Sequence, residues 1–157
     1  MYTDSFSALL TAYEQRLRPD ASAYELARTR ELKLNDRLVS FEFVPDGNSP
    51  DDGMVICRSD VLQFTEPVSE IHCRLLLQAN NMWAGTQGST LGLRGRDVLV
   101  VSGGRRIGSL DADSLEALVN TLCKDAQVWH RRMSGSTPVV HSQSDASQLP
   151  AMMHMRA

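Results

Sequence analysis

Hydrophobic positions along this chain follow two periods, and the switches between them mark out its elements. Between residues 4 and 18, Phe6, Leu9, Leu10, Tyr13 and Leu17 recur every three or four positions, which predicts a helix. Asp4 or Ser5 can cap its start, and Pro19 lies past its end. Residues 21–30 (ASAYELARTR) fit either a short second helix or an irregular connection. The period then drops to two. Leu32 and Leu34 alternate with polar residues, and Asn35-Asp36 marks a turn. LVSFEFV at 38–44 puts Val39, Phe41 and Phe43 on one face and Leu38, Ser40, Glu42 and Val44 on the other. PDGNSPDDG at 45–53 combines Pro, Gly, Asn and Asp and predicts a break between strands. A third strand runs from Met54 to Cys57, and Val61 to Phe64 continues it or leads out of it.

The helical period returns over 68–83, with Ser69 as cap and Ile71, Leu75, Leu76, Ala79 and Met82 or Trp83 on one side; Gly85 and Gly88 end it. Thr90 to Leu93 and Val98 to Val101 read as strands joined by a turn at Arg94-Gly95-Arg96-Asp97, and Gly103-Gly104 allows a further reversal into Arg105 to Ser109. A last helix spans 112–133. Leu115, Leu118, Val119, Leu122, Ala126 and Trp129 form its stripe, Asp113 and Glu116 have capping-box spacing, and His130-Arg131-Arg132 suits its C-terminal end. From Ser134 on, Ser, Thr, Gln and Pro prevail without a period. The expected organisation is one α+β domain over 1–133 and a disordered tail over 134–157. The domain order is helix, three strands, helix, two or three strands, helix, with a mostly antiparallel twisted sheet packed by the helices.

Composition narrows the function classes. With 42% hydrophobic and 22% charged residues over 157 positions, this is an ordinary globular chain for a single core. A net charge of -3 argues against nucleic acid, because the Arg pairs (Arg94/Arg96, Arg105/Arg106, Arg131/Arg132) are short and lie near acids. No window approaches the roughly 20 apolar residues of a membrane span, and the N-terminus lacks the basic and apolar regions of a signal peptide. Three cysteines, odd in number and set in apolar segments, suit reduced thiols in a cytoplasmic protein.

Candidate chemistry adds little. The four histidines have no metal-ligand spacing, and the glycines at 85, 88, 92 and 95 follow a helix and lead into a strand, the reverse of a dinucleotide loop. A distant Cys–His pair such as Cys57 with His72 or Cys73 with His130 is the one thiol chemistry the chain leaves open. No active site, metal or cofactor is expected. The informative feature is surplus apolar surface. Leu75, Leu76 and Leu77 are consecutive, so about 200° of the central helix is apolar at 100° per residue. One side can pack on the sheet while the other meets a second copy, a two-fold dimer being the commonest cover for such a surface. Phe41 and Phe43, with Leu34, Leu38, Met54 and Ile56, could grip an extended peptide while a sheet edge supplies backbone hydrogen bonds.

The stretch LLLQANNMWAGTQGSTLGL at 75–93, followed by VLVVSGGRRIGSLDADSLEALVNTLCKDAQVWHRRM at 98–133, resembles the class I type III secretion chaperones, the CesT/Tir-type family. The long passage at 19–31 and the tail depart from a minimal member and would suit a broader-specificity export chaperone. The resemblance implies a cytoplasmic homodimer that binds the N-terminal chaperone-binding region of one or more secreted effectors in extended form. It further implies that the effector is kept soluble and is delivered to the export ATPase. Carried onto this chain, the dimer contact would use Leu75, Leu76, Ala79, Met82, Trp83, Leu91 and Leu93. The effector surface would use Leu10, Tyr13, Leu17, Leu34, Phe41, Phe43, Met54 and Ile56. The alternatives are a regulatory or adaptor module of similar fold without a role in secretion and, in third place, a small thiol enzyme.

Overall fold

The structure is a computed structural model and describes residues 4–17, 21–23, 25–47 and 49–135. Beyond Gly135 the expected tail lies outside the described residues. The observed class is α+β, as expected. Six strands form one sheet in the order β1-β2-β3-β4-β6-β5, every neighbouring pair antiparallel.

Helix α1 (Asp4–Glu14) buries Phe6, Leu9, Leu10 and Tyr13 on one stripe. The passage after it holds β1 (Ala21–Ser22), an edge strand of two residues, and α2 (Leu26–Thr29), a single turn. Glu25 and Arg30 flank that turn in left-handed backbone, at φ 47° and 57°. The Leu26 amide donates to Glu14 Oε2 at 3.0 Å, and the Leu26 side chain is fully buried. Strands β2 (Glu31–Leu34) and β3 (Arg37–Asp46) meet in a tight hairpin at Asn35-Asp36. Both turn residues have positive φ, as a two-residue loop of the right twist requires.

Strand β4 (Ser49–Gln63) is the longest in the sheet and corrects the expected break at 45–53. Pro45 pairs with Gly53 and Asp46 with Ser49, so strand pairing extends well into the segment read as a loop. The turn-forming residues sit in a ribbon at the far end of the sheet, where a register shift at Pro45/Asp46 accommodates proline's missing donor. Gly53 is required there: a Cβ would lie 2.3 Å from the Val44 carbonyl oxygen.

Helix α3 (Glu70–Asn80) is capped by Ser69, which accepts from the His72 amide. It stops three residues before the predicted end, because Met82 and Trp83 take left-handed backbone in a 3-10 turn at Asn81–Trp83. β5 (Thr90–Arg94) and β6 (Val98–Arg106) form the expected hairpin with Gly95 at φ 66°. Gly103-Gly104 makes no reversal. β6 continues straight to Arg106, paired with Met54 on β4. The two glycines instead give space to neighbours: a Cβ on Gly103 would be 3.2 Å from Leu118 and one on Gly104 3.3 Å from the Met54 methyl.

Helix α4 (Ala112–Ser134) starts where its period predicts, but its cap lies two positions before the one the acidic spacing suggests. Its capping box is Asp111 with Ser114, not Asp113 with Glu116, and Asp113 instead pairs with Arg16 at the end of α1. Ser114 Oγ and N donate to the Asp111 carboxylate at 2.6 and 2.8 Å, and these bonds hold its carboxyl below the usual aspartate range.

The core lies between one sheet face and α1, α2 and α4. Inward from the sheet come Leu32, Val39, Phe41, Val55, Cys57, Leu99 and Val101; α4 adds Leu115, Val119, Leu122, Ala126 and Trp129. Phe6 stacks on Phe43 with centroids 5.6 Å apart, and Tyr13 meets Phe41 edge-on at 6.4 Å. Such aromatic pairs add roughly 1 kcal/mol beyond their buried area. Among the described residues no helix is long and apolar enough to cross a membrane.

Candidate protein-binding surfaces

Among the described residues, the helices leave the other sheet face bare. Strand alternation places Leu38, Ser40, Glu42 and Val44 there from β3, Met54, Ile56, Arg58 and Asp60 from β4, and Val98 and Val100 from β6. Val44 lies opposite Met54, which in turn neighbours Arg106; Ile56 lies between Glu42 and Gly104. Leu38, Val44 and Met54 are exposed, and Ile56 and Val100 are half-buried.

Arg58 Nη1 bonds Glu42 Oε2 at 2.6 Å and Arg94 Nη2 bonds Asp60 Oδ2 at 2.5 Å, each pair about half exposed. Beside these pairs a concavity of about 860 Å³ opens between Leu38, Ser40, Arg58, Asp60, Arg94 and Val100. A register shift in β4 lies between Asp60 and Leu62, at the rim of this concavity. Exposed ion pairs of this kind contribute at most about 1 kcal/mol, so an incoming charged side chain can exchange with either partner at little cost.

A second surface surrounds α3. This helix lies along edge strand β5, joined by Asn80, whose Nδ2 donates to the Leu91 carbonyl at 2.7 Å while its Oδ1 accepts from the Leu91 amide at 2.8 Å. The Asn80 amide therefore occupies part of the edge that another strand would need. Around it Ile71, Leu77, Met82, Trp83 and Leu93 are exposed, Met82 by 85% and Trp83 by 57%. Met82 and Trp83 both have φ 54°, a conformation costing on the order of 1 kcal/mol for a non-glycine residue. Strain and apolar exposure coincide at these two adjacent side chains.

The residues expected to hold a client are divided by this geometry. Leu10, Tyr13, Leu34 and Phe41 are buried in the core, and Leu17 and Phe43 are half-buried against it. Only Met54 and Ile56 stand on the bare face. Periodicity identified both faces of β3 correctly, but the more aromatic face is the one that α1 covers. Leu38, Val44 and Val100 therefore join the candidate surface; the alternation at 38–44 already carried the signal for the first two. Among the residues expected at a dimer contact, Leu76, Ala79 and Leu91 are buried within the monomer and Leu75 is half-buried. Met82, Trp83 and Leu93 are exposed, and Ile71 and Leu77 belong with them.

Cys57 and Cys123 are poorly suited to attack. Burial, with the Cys123 thiol adding to it, pushes Cys57 up to about 12, and desolvation raises Cys123 as well. Both are thiols at neutral pH, while nucleophilic cysteines need the thiolate.

This arrangement of helices on one face of a six-stranded antiparallel sheet is a fold shared with chains of two solved protein complexes. The chain is similar to one in the ExsC–ExsE complex, with a TM-score of 0.59 and 16% identity over 80% of this chain and 90% of that one. It is similar also to one in the HopA1–SchA chaperone–effector complex, with a TM-score of 0.51 and 13% identity over 81% of this chain and 94% of that one. No family model and no curated protein sequence matches this chain.

Proposed function

We propose that this protein is a cytoplasmic type III secretion chaperone. It binds the N-terminal chaperone-binding region of one or more effectors in extended form, keeps them soluble and secretion-competent, and helps deliver them to the export ATPase. It works by binding alone, as a homodimer joined through the exposed shoulder of α3 and the turn after it. The observation that carries the proposal is the bare, partly apolar sheet face in a fold shared with a chain of a chaperone–effector complex.

An extended client lying over that face would cover Leu38, Val44, Met54 and Ile56 and meet the Glu42–Arg58 and Asp60–Arg94 pairs. Apolar side chains at every second client position would take up the exposed hydrophobics, contributing about 25 cal/mol per Å² buried.

Co-expression with the N-terminal segments of effectors from the same bacterium tests this. The folded wild-type protein should retain at least one such segment in a soluble complex. Val44→Glu with Met54→Glu should lose it at least tenfold without a change in circular dichroism. A wild-type protein that retains none, or that retains only intact folded partners as an adaptor would, overturns the proposal. A double variant that binds as well as the wild type moves the client off the sheet face.

A further inference from the structure

The last described helix ends beside the bare sheet face. Helix α4 runs to Ser134 with Gly135 as its cap, and His130, one turn before that end, lines the same concavity as Leu38, Ser40, Arg58 and Val100. At the helical rise, Gly135 follows His130 by about 8 Å along the axis. Val44, towards the far end of the face, lies six residues along β3 from Leu38, or about 20 Å.

Past Gly135 come thirteen residues, 136–148, with Ser the commonest, and then a second alternating segment. Leu149, Ala151, Met153 and Met155 fall on one side of it and Pro150, Met152, His154 and Arg156 on the other. Thirteen residues span at most about 45 Å, twice the distance from Leu38 to Val44, so the segment can reach any part of the face. Its chemistry fits there. Leu38, Val44 and Met54 are exposed on the face, and unbranched methionine adapts to an uneven apolar surface. Pro150 has no amide for a strand ladder, which disfavours pairing at a sheet edge but costs nothing in a segment lying across a face. The β5 edge is also partly filled, since Asn80 takes both backbone groups of Leu91. Residues 149–157 carry Arg156 and no acid, while Glu31, which also lines the concavity, is in no ion pair among the described residues.

We infer that residues 149–155 of this same chain lie extended over the bare sheet face and cover it until a client displaces them. The inference rests on that face being the client's site and adds what governs access to it. Tethering gives the segment an effective concentration on the order of 1 mM. An intrinsic dissociation constant of about 0.1 mM would then keep the face covered roughly nine-tenths of the time. A client meets only the uncovered fraction, so its apparent affinity falls by that fraction.

The test exposes full-length protein to dilute hydrogen peroxide and follows sulfoxide at each methionine by mass spectrometry. Met152, on the outer side of the segment, is the internal control, and Met133, 4% exposed in the core, reports that the fold is intact. In the wild type, Met153 and Met155 should oxidise at least threefold more slowly than Met152, at low and high micromolar protein alike. Val44→Glu should bring both to the Met152 rate with Met133 still protected. Met153→Glu with Met155→Glu should speed oxidation of Met54 and tighten binding of an effector N-terminal segment retained in co-expression at least threefold. Adding that segment to the wild type should unmask Met153 and Met155. Equal rates at the three tail methionines overturn the inference, as does protection that survives Val44→Glu or disappears on dilution. An effector segment that binds while Met153 and Met155 stay protected, or that binds the double variant no more tightly, overturns it and leaves the proposed function standing. Protected methionines in a protein that retains no effector segment uphold the contact and remove the proposed function.

Discussion

Gly85 shows how much a single residue decides here. It combines a helix exit, a close approach to Ala79 and a hydrogen bond accepted from Trp129. Gly85→Ala should cost about 1–3 kcal/mol, because the added methyl meets packed atoms at both Ala79 and Trp129; urea unfolding reads this directly. Asp111 gives a pH-dependent counterpart. Ser114 holds its carboxyl below the unfolded value of 3.8, so the cap stabilises the fold above that pH and loses its effect as pH falls through the lower folded-state value. Asp111→Ala should therefore lower the melting temperature at pH 7, with the difference from wild type closing in strong acid. At the alkaline end Cys57 acts in the opposite sense. Its thiol, raised to about 12, stabilises the fold below the unfolded value of 9.0 and loses that contribution as pH rises towards 12. Denaturant unfolding between pH 8 and 11 should show a fall in wild-type stability that is shallower in Cys57→Ala.

At the scale of elements, the two faces of the sheet differ in what they tolerate. Leu10→Ala, on the buried stripe of α1, should cost about 2–5 kcal/mol, whereas Leu38→Ala on the bare face should stay within about 0.5 kcal/mol of wild type and, on the proposed function, still weaken client binding. Chemical denaturation and client binding measured on both variants would check the contrast. The elements that the chain reveals on its own are those with a sustained period: α1, the β2–β3 hairpin, α3, the β5–β6 hairpin and α4. Glycine and proline were less readable, because the same residues serve as turns and as clearance. Gly103 and Gly104 read as a reversal, yet they make room for Leu118 and Met54. Pro45 and Asp46 read as a loop, yet they form the end of a strand ribbon. The capping box is at Asp111 and not at Asp113, which pairs instead with Arg16, 97 residues away. The site was legible in kind but not in side: alternation separates the two faces of β3, and only packing decides which one α1 covers.

At the scale of the molecule, helices hide the aromatic sheet face, and the described residues leave a milder face and a strained shoulder uncovered. The proposed binding of an extended segment would draw on that division: a rigid core beside a surface of moderate apolarity. Calorimetric titration of the full-length protein with an effector N-terminal segment, repeated at several temperatures, tests the central claim most directly. The account predicts saturable binding with a negative heat-capacity change from apolar burial, reduced at least tenfold by Val44→Glu with Met54→Glu. Binding that is indifferent to those two substitutions, or no binding at all by the folded wild type, would contradict it.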